Sequence, residues 1–309
     1  MLSEKQSTDR SRPDVSIIIP VYNDPEGIRA TLSSLTDQTF SSGRFEILPV
    51  DNGSTDRTRA VLEEIERRNE RVRLAIEDEI SGSYAARNEG IKESNGDVIV
   101  FIDADMTVPD GWLKSALRTF QSTNTDYMGC SVELILPDDP TLAARYDHHT
   151  GFPVEQYLEH HQFTPTCCLV TRRAVFKNVG LFDHRLVSGG DKEFGNRVHE
   201  AGYDMHYAEN VTMYHPTRNS IPELINKDRR VGRGLCQLQR YYPDRYGTPG
   251  IPLRPSGVKS PDPDLETRDR LAFGALSRFL TGVRGLGYYQ EYLMGDRLND
   301  LGGIPELEQ

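Results

Sequence analysis

The sequence predicts an α/β fold: a mostly parallel sheet flanked by helices, followed by a C-terminal helical extension. Three observations predict it. Short β-branched runs such as Val15-Ser-Ile-Ile-Ile-Pro20 have the continuous apolar character of strands buried on both faces. The early runs alternate with helical segments, one of which shows i, i+4 apolar spacing at Val61 and Ile65. Polar residues collect where these runs end, the edge at which a parallel sheet with right-handed crossovers receives ligands.

Taken in order, the run from Val15 is followed by Asp24-Pro25-Glu26, an N-cap, a first-turn proline and an early acid that start a helix through about Asp37. A strand from Phe45 to Val50 leads through Asp51-Asn-Gly-Ser-Thr-Asp56 into a helix from Arg57 to about Asn69. Strand Val72 to Ile76 precedes a helix from about Tyr84 to Glu93, and strand Val98 to Ile102 ends in Asp103-Ala104-Asp105. Beyond a helix from Trp112 to Thr123 and a strand from Tyr127 to Leu136 the regularity weakens. Tyr146 to Phe163 is rich in aromatic residues and His and reads as an acceptor-facing wall or simple packing. Then come a strand from Cys167 to Thr171, a short helix from Arg172 to Val179, a helix from Asp191 to Ala201 closed by Gly202, and a strand from Tyr207 to His215. Dense proline and glycine from Pro243 to Pro263 mark a loop or linker, and a last helical region spans about Leu265 to Leu293.

The expected organisation is a disordered tail over 1–12, a donor-binding half over 13–125, an acceptor-binding and catalytic half of the same domain over 126–235, and the loop plus helical extension over 236–309. At 309 residues the chain can bury a sizeable core without disulfides. Its 47 acidic against 36 basic residues give a net charge of −11, which disfavours nucleic acid as a partner. Four cysteines lack C-x-x-C spacing and no secretory segment precedes them, so reduced thiols in a cytoplasmic protein are expected. No stretch approaches the ~18 apolar residues of a membrane-spanning helix.

The chemistry centres on Asp103-Ala104-Asp105. Two carboxylates beyond an apolar strand are too close to stay ionised without a cation or strong donors, and Mg²⁺ or Mn²⁺ is the simplest compensation. Such an ion keeps room for substrate phosphates, which makes a bound diphosphate a better leaving group. Alone, the triplet is equally well read as a strand-end turn.

Four motifs in order, Val15-Ser-Ile-Ile-Ile-Pro-Val-Tyr-Asn23, Asp51-Asn-Gly-Ser-Thr-Asp56, Ala86-Arg-Asn-Glu-Gly90 and Asp103-Ala-Asp105, resemble family 2 glycosyltransferases with the GT-A, Rossmann-like fold. The resemblance covers roughly Asp14 to Arg230. It implies that Pro20, Val21 and Tyr22 lie beside the nucleoside, that Asp51, with Asn52 next to it, accepts a hydrogen bond from the base, and that Arg87 approaches the diphosphate or the base edge. It implies a donor role for Asp103 and Ala104, and a metal held by Asp105. Residue chemistry agrees: an aromatic face binds a base, a buried carboxylate discriminates a base N–H, and guanidinium matches phosphate.

Transfer to a sugar hydroxyl also needs a base. Leu181-Phe-Asp-His-Arg-Leu-Val-Ser-Gly-Gly-Asp191-Lys-Glu193 is similar to the acceptor-side motif of that family, with Gly190 where an acidic residue normally precedes the catalytic Asp. The resemblance makes Asp191 the base; its other reading is a helix N-cap, with Glu193 then the fallback. His215 ends a strand, where the family often places a metal-ligating His. Lys227, Arg229, Arg230 and Arg233, expected after a helix, either hold the donor diphosphate, hold a phosphate-bearing acceptor, or are a solvated face. Leu271 to Leu280 is strongly apolar and packs on the main domain, forms a homodimer, or makes peripheral contact with a membrane.

The expected function is therefore inverting, metal-dependent transfer from a nucleoside diphosphate sugar, with uridine the default base, to a saccharide or lipid-linked saccharide acceptor. A nucleotidyltransferase is the rival enzyme class, but the segment after the first strand, Val-Tyr-Asn-Asp-Pro, lacks a Gly-rich basic loop. A non-catalytic nucleotide-sugar-binding protein is the other rival.

Overall fold

The computed structural model describes residues 13–38, 45–252, 266–295 and 303–307. The tail expected over 1–12 lies outside the described residues, as does the proline-rich stretch from 253 to 263. Seven strands, β1 (Val15–Val21), β2 (Phe45–Asp51), β3 (Ala75–Ile76), β4 (Val98–Phe101), β5 (Tyr127–Ile135), β6 (Leu169–Arg172) and β7 (Met205–Pro216), form one sheet in the order β3-β2-β1-β4-β6-β5-β7. Helices α1 (Pro25–Thr36), α2 (Thr58–Arg68), α3 (Ser83–Glu93) and α4 (Trp112–Ser122) alternate with the first strands, as the periodicity predicts. Asp24 caps α1, accepting from Gly27 N at 2.9 Å.

The predicted strand from Val72 shortens to Ala75–Ile76; Val72 makes only an isolated bridge to Ile47. The sheet is mixed, because β6 runs antiparallel to both β4 and β5 whereas β5 and β7 are parallel. A 3₁₀ turn at Thr166–Cys168 delivers the chain into β6. The aromatic and His-rich stretch folds as two helices, α5 (Leu142–Thr150) and α6 (Val154–His161). Its rings are spent on packing: Tyr157 stacks on Phe163 with centroids 5.0 Å apart, Tyr146 and His149 pack on Phe273, and Phe152 packs on His215.

After α7 (Arg173–Val179) and α8 (Gly190–Glu200), a long helix α9 (Ile221–Tyr241) carries the basic cluster, which therefore lies within a helix and not after one. The boundary expected between 235 and 236 falls inside that helix. Part of the predicted loop folds as a short helix, α10 (Pro243–Tyr246), and the final helix α11 (Thr267–Met294) packs along α9. Glycines make that packing possible: a side chain at Gly232 would run into the Arg284 backbone, and one at Gly287 into the Arg229 backbone.

The core sits between the sheet and its helices, with Ile17, Ile18, Ile19, Ile47, Leu48, Phe101, Leu113, Phe176 and Phe194 fully buried. β1 is apolar on both faces because both are covered, which is why the run reads as continuous. α3 approaches closely at Gly90, where any Cβ would strike Ile18 and Val50. This close seating brings the first turns of α3, and Arg87 with them, over the carboxyl ends of β1 and β4. Among the described residues no helix is long and apolar enough to cross a membrane.

Candidate functional site

The carboxyl ends of β1, β2 and β4 gather most of the predicted donor residues. Val21 is buried, Pro20 is half-buried, and Tyr22 directly beyond is 60% exposed, which leaves its ring free to face a ligand. Asn23, at φ +50, accepts from Thr55 N at 2.8 Å and ties the turn after β1 to the turn after β2. Asparagine tolerates this left-handed backbone better than most residues.

Asp51 is fully buried and its Oδ2 accepts from Arg59 Nε at 2.8 Å. Its other oxygen, Oδ1, is buried with no partner among the described residues. An unmatched buried carboxylate oxygen costs free energy unless a ligand donates to it, so Asp51 has the acceptor that a base N–H would need. Arg59 also pairs with Asp78 at 2.7 Å, and sequence reasoning passed over it; a basic residue at the start of the helix that follows an acidic strand end was the available signal. Asn52 behaves differently from the expectation of donor contact: its Nδ2 donates to the carbonyls of Glu77 and Ile80, both at 2.8 Å, and its Oδ1 accepts from Gly82 N. It holds the 77–82 loop beside the site.

Asp103 and Asp105 project from the turn after β4. Thr31 of α1 lies with its hydroxyl 2.8 Å from the Ala104 carbonyl and 2.6 Å from that of Met106, which fixes the turn from below. Ala104 thus contributes its backbone to the scaffold, its side chain buried. Arg87 is buried and donates to Asp103 Oδ1 at 2.7 Å, while its Nε is buried and unpartnered. Asp105 and His215 come together, Oδ1 to Nε2 at 3.8 Å. Backbone forces this meeting: Thr107 and Tyr214 exchange two N–H···O=C bonds of 2.9 Å, clamping the residues just after Asp105 to the residue just before His215.

His215 Nδ1 sits 2.7 Å from the Pro216 carbonyl, which can only accept, so Nδ1 donates there and Nε2 is the ring nitrogen that faces Asp105. Burial holds the Asp105 carboxyl above its ordinary range, with His215 pulling it down and Asp103 pushing it up. A divalent cation would relieve both the burial and the repulsion. Among the described residues no three His, Cys, Asp or Glu side chains converge tightly enough to hold an ion alone. The donor set suits an oxygen-preferring ion that completes its shell with water and phosphate.

Asp191 lies in the first turn of α8, two residues past the cap position, which Gly189 occupies. Its Oδ1 accepts from Lys192 N at 2.9 Å. Burial raises its pKa, against the Lys192 N–H bond and the charges of Arg87 and Arg230. A carboxylate with raised basicity facing two guanidinium groups is suited to take a proton. Tyr84, not singled out in the sequence, places its hydroxyl where it accepts from Gly190 N at 2.9 Å and Asp191 N at 3.3 Å. Gly190 also matters sterically, since a Cβ there would strike the Tyr84 ring. Glu193 is fully buried and paired with Arg197 at 2.7 Å, so its carboxylate is committed to structure.

The basic cluster divides. Lys227 binds Asp147 at 3.2 Å, whereas Arg229, Arg230 and Arg233 line a cleft with His184.

Residues 16–180 match the model of the family described as Glycosyl transferase family 2. Glycosyltransferase AglE of Haloferax volcanii is 38% identical over 226 residues, which cover 73% of this chain and 74% of that protein. Among solved structures, the mannosyltransferase PcManGT of Pyrobaculum calidifontis, in complex with GDP-Man and Mn²⁺, superposes with a TM-score of 0.59 at 18% identity, covering 92% of this chain and 76% of that one. TarS 1-349 of S. aureus in complex with UDP-GlcNAc gives a TM-score of 0.55 at 15% identity, covering 96% and 99%.

Proposed function

This chain belongs to glycosyl transferase family 2 and is a glycosyltransferase, and from that premise we propose that it catalyses inverting transfer from a uridine diphosphate sugar to an acceptor hydroxyl in glycan, polysaccharide or glycolipid biosynthesis. The observation that carries the reading is the position of Arg87. Its guanidinium binds Asp103 at 2.7 Å and its charge also bears on Asp191, so one buried cation joins the donor carboxylates to the base.

Tyr22 flanks the base and the free Oδ1 of Asp51 accepts its N–H. Asp105 and His215 would hold Mg²⁺ or Mn²⁺, and Asp103 is tied to Arg87 beside them. When bound, the ion neutralises the charge that builds on the departing diphosphate. Asp191 takes the proton of the acceptor hydroxyl while that oxygen forms a bond to the anomeric carbon. The bond from that carbon to the diphosphate oxygen breaks on the opposite face, and the diphosphate leaves with the electron pair. Asn52 and Tyr84 act by positioning, the first on the 77–82 loop and the second on the first turn of α8.

Family membership sets aside the nucleotidyltransferase reading. The binding-only reading is set aside with it. The outward face of α11, where Leu271, Phe279, Leu286 and Leu293 are exposed, supports a peripheral contact with the cytoplasmic face of a membrane or with a second copy of the chain.

A thermal-shift screen of UDP, GDP and ADP, each with and without Mn²⁺, tests the donor assignment, because ligands specific for the folded state raise Tm. The expected result is a metal-dependent shift with UDP. A larger shift with GDP overturns the base, and no shift with any nucleotide overturns the donor site. Proton NMR of the product from an α-linked donor tests the stereochemistry, β configuration being expected.

A further inference from the structure

A cleft of about 680 Å³ opens between the N-terminus of α3, the segment leading into α8 and one side of α9. Arg229, Arg230, Arg233 and His184 are on its wall, and no Asp or Glu among the described residues lines it. On a chain with 47 acidic and 36 basic residues this is a local reversal of sign. Arg233 shares the Glu291 carboxylate at 3.0 Å, but Arg229 is held by the neutral amide of Gln290 at 2.9 Å and Arg230 reaches only the Val187 carbonyl at 3.5 Å. Neither has a carboxylate partner among the described residues. Gly82 and Ser83 form the opposite wall, and they begin α3 without a side-chain cap, so the positive end of that helix adds to the same field. Three guanidinium groups with one carboxylate among their direct partners leave excess positive charge that an anion would offset.

The nucleotide does not account for this cleft. None of Tyr22, Asp51, Arg87, Asp103, Asp105 or His215 lines it. It borders the base instead: Tyr84, next to Ser83, binds the Gly190 and Asp191 N–H groups, and the Val187 wall leads directly into α8.

We propose that this cleft is an acceptor subsite for phosphate, so that the hydroxyl presented to Asp191 belongs to a phosphate- or diphosphate-linked saccharide. The inference rests on the glycosyl-transfer reading and narrows its acceptor class. The planar forks of Arg229 and Arg230 bind phosphoryl oxygens, and Arg233 completes the set by sharing its charge with Glu291. The same chemistry occurs in a soluble sugar phosphate and in a lipid headgroup.

The test uses the full chain saturated with UDP and Mn²⁺. Calorimetry with glucose 1-phosphate and with glucose measures the phosphate requirement, and co-sedimentation with phosphatidylcholine vesicles, plain or doped with phosphatidic acid, measures the lipid source. Wild type should bind at least one phosphate probe and neither phosphate-free control, and R229Q/R230Q should weaken that binding by about tenfold or more with UDP affinity unchanged. Binding of glucose 1-phosphate alone assigns a soluble acceptor, and phosphate-dependent vesicle binding assigns a lipid one; either supports the subsite. Failure of both probes, equal binding of the phosphate-free controls, or loss of UDP affinity in R229Q/R230Q overturns it. If wild type binds no nucleotide at the outset, the donor reading has failed and not this one alone.

Discussion

The Tyr84 hydroxyl accepts a hydrogen bond from Asp191 N at 3.3 Å as well as from Gly190 N at 2.9 Å, so a side chain of α3 closes the start of α8. Asp191, the proposed base, is thereby registered against the helix that carries Arg87. Tyr84→Phe removes that acceptor and leaves two N–H groups unmet in a buried place, a cost of about 1–3 kcal/mol. Transfer should fall about tenfold through kcat with donor affinity intact. A change in UDP affinity as large as the change in kcat would show that Tyr84 serves the donor side.

Asp191→Asn should reduce transfer by about a thousandfold or more while leaving UDP binding nearly intact. The sign of its stability effect follows from burial. Burial raises the folded pKa above the ordinary carboxylate value, so the native state binds more protons than the unfolded state between those two pKa values. Stability falls as pH rises through that window and the penalty persists at neutral pH. Asn carries no charge, so the variant should melt higher than wild type at pH 7, the difference vanishing well below the window. An unchanged or lower Tm at pH 7 would contradict the burial argument.

The same raised pKa sets a pH profile. Asp191 must be ionised to accept a proton, so kcat/KM should drop on the acid side at a pH above the ordinary carboxylate range. Solvent-accessible carboxylates would place that limb lower. A profile flat down to pH 4 rules Asp191 out as the base.

Asp105→Ala should abolish the metal dependence of donor binding, and His215→Ala should weaken it by about tenfold. Titrating Mn²⁺ into the protein with UDP present reads both. Should His215→Ala leave the Mn²⁺ response unchanged, the histidine is packing against Phe152, whose ring centroid lies 5.5 Å away.

Arg59→Ala strands the fully buried Asp51 carboxylate. Removing one partner of a buried pair costs about 3 kcal/mol, which urea denaturation should register as a lower midpoint. Adding Asp51→Asn should recover part of that loss, and a strictly additive double variant would show that the two residues do not interact.

Where local pattern and burial coincide, the sequence could be read directly. β1 is covered on both faces and reads as unbroken apolar residues, and α1 announces itself through Asp24 and Pro25. The placement of Asp103 and Asp105 beyond β4 and of Asp191 in the first turn of α8 was legible because strand ends and helix starts leave marks in the local sequence. The direction of β6 was not legible, since Leu-Val-Thr-Arg carries no mark of which way it runs. The helical setting of Arg229 to Arg233 was obscured because α9 is polar along much of its length. Tyr84, Arg59 and Asn52 act across 107, 8 and 30 residues of chain, and a partner's identity is a tertiary fact. Asn52 shows the limit most sharply: its neighbour Asp51 keeps a free oxygen, while its own amide is spent on the 77–82 loop.

The paired backbone bonds between Thr107 and Tyr214 separate framework from contents. Since main-chain atoms, and no particular side chain, bring positions 105 and 215 face to face, either residue can be exchanged without dismantling the frame that presents it. If these positions hold a cation as proposed, single substitutions could therefore retune which ion is preferred at an otherwise unaltered socket.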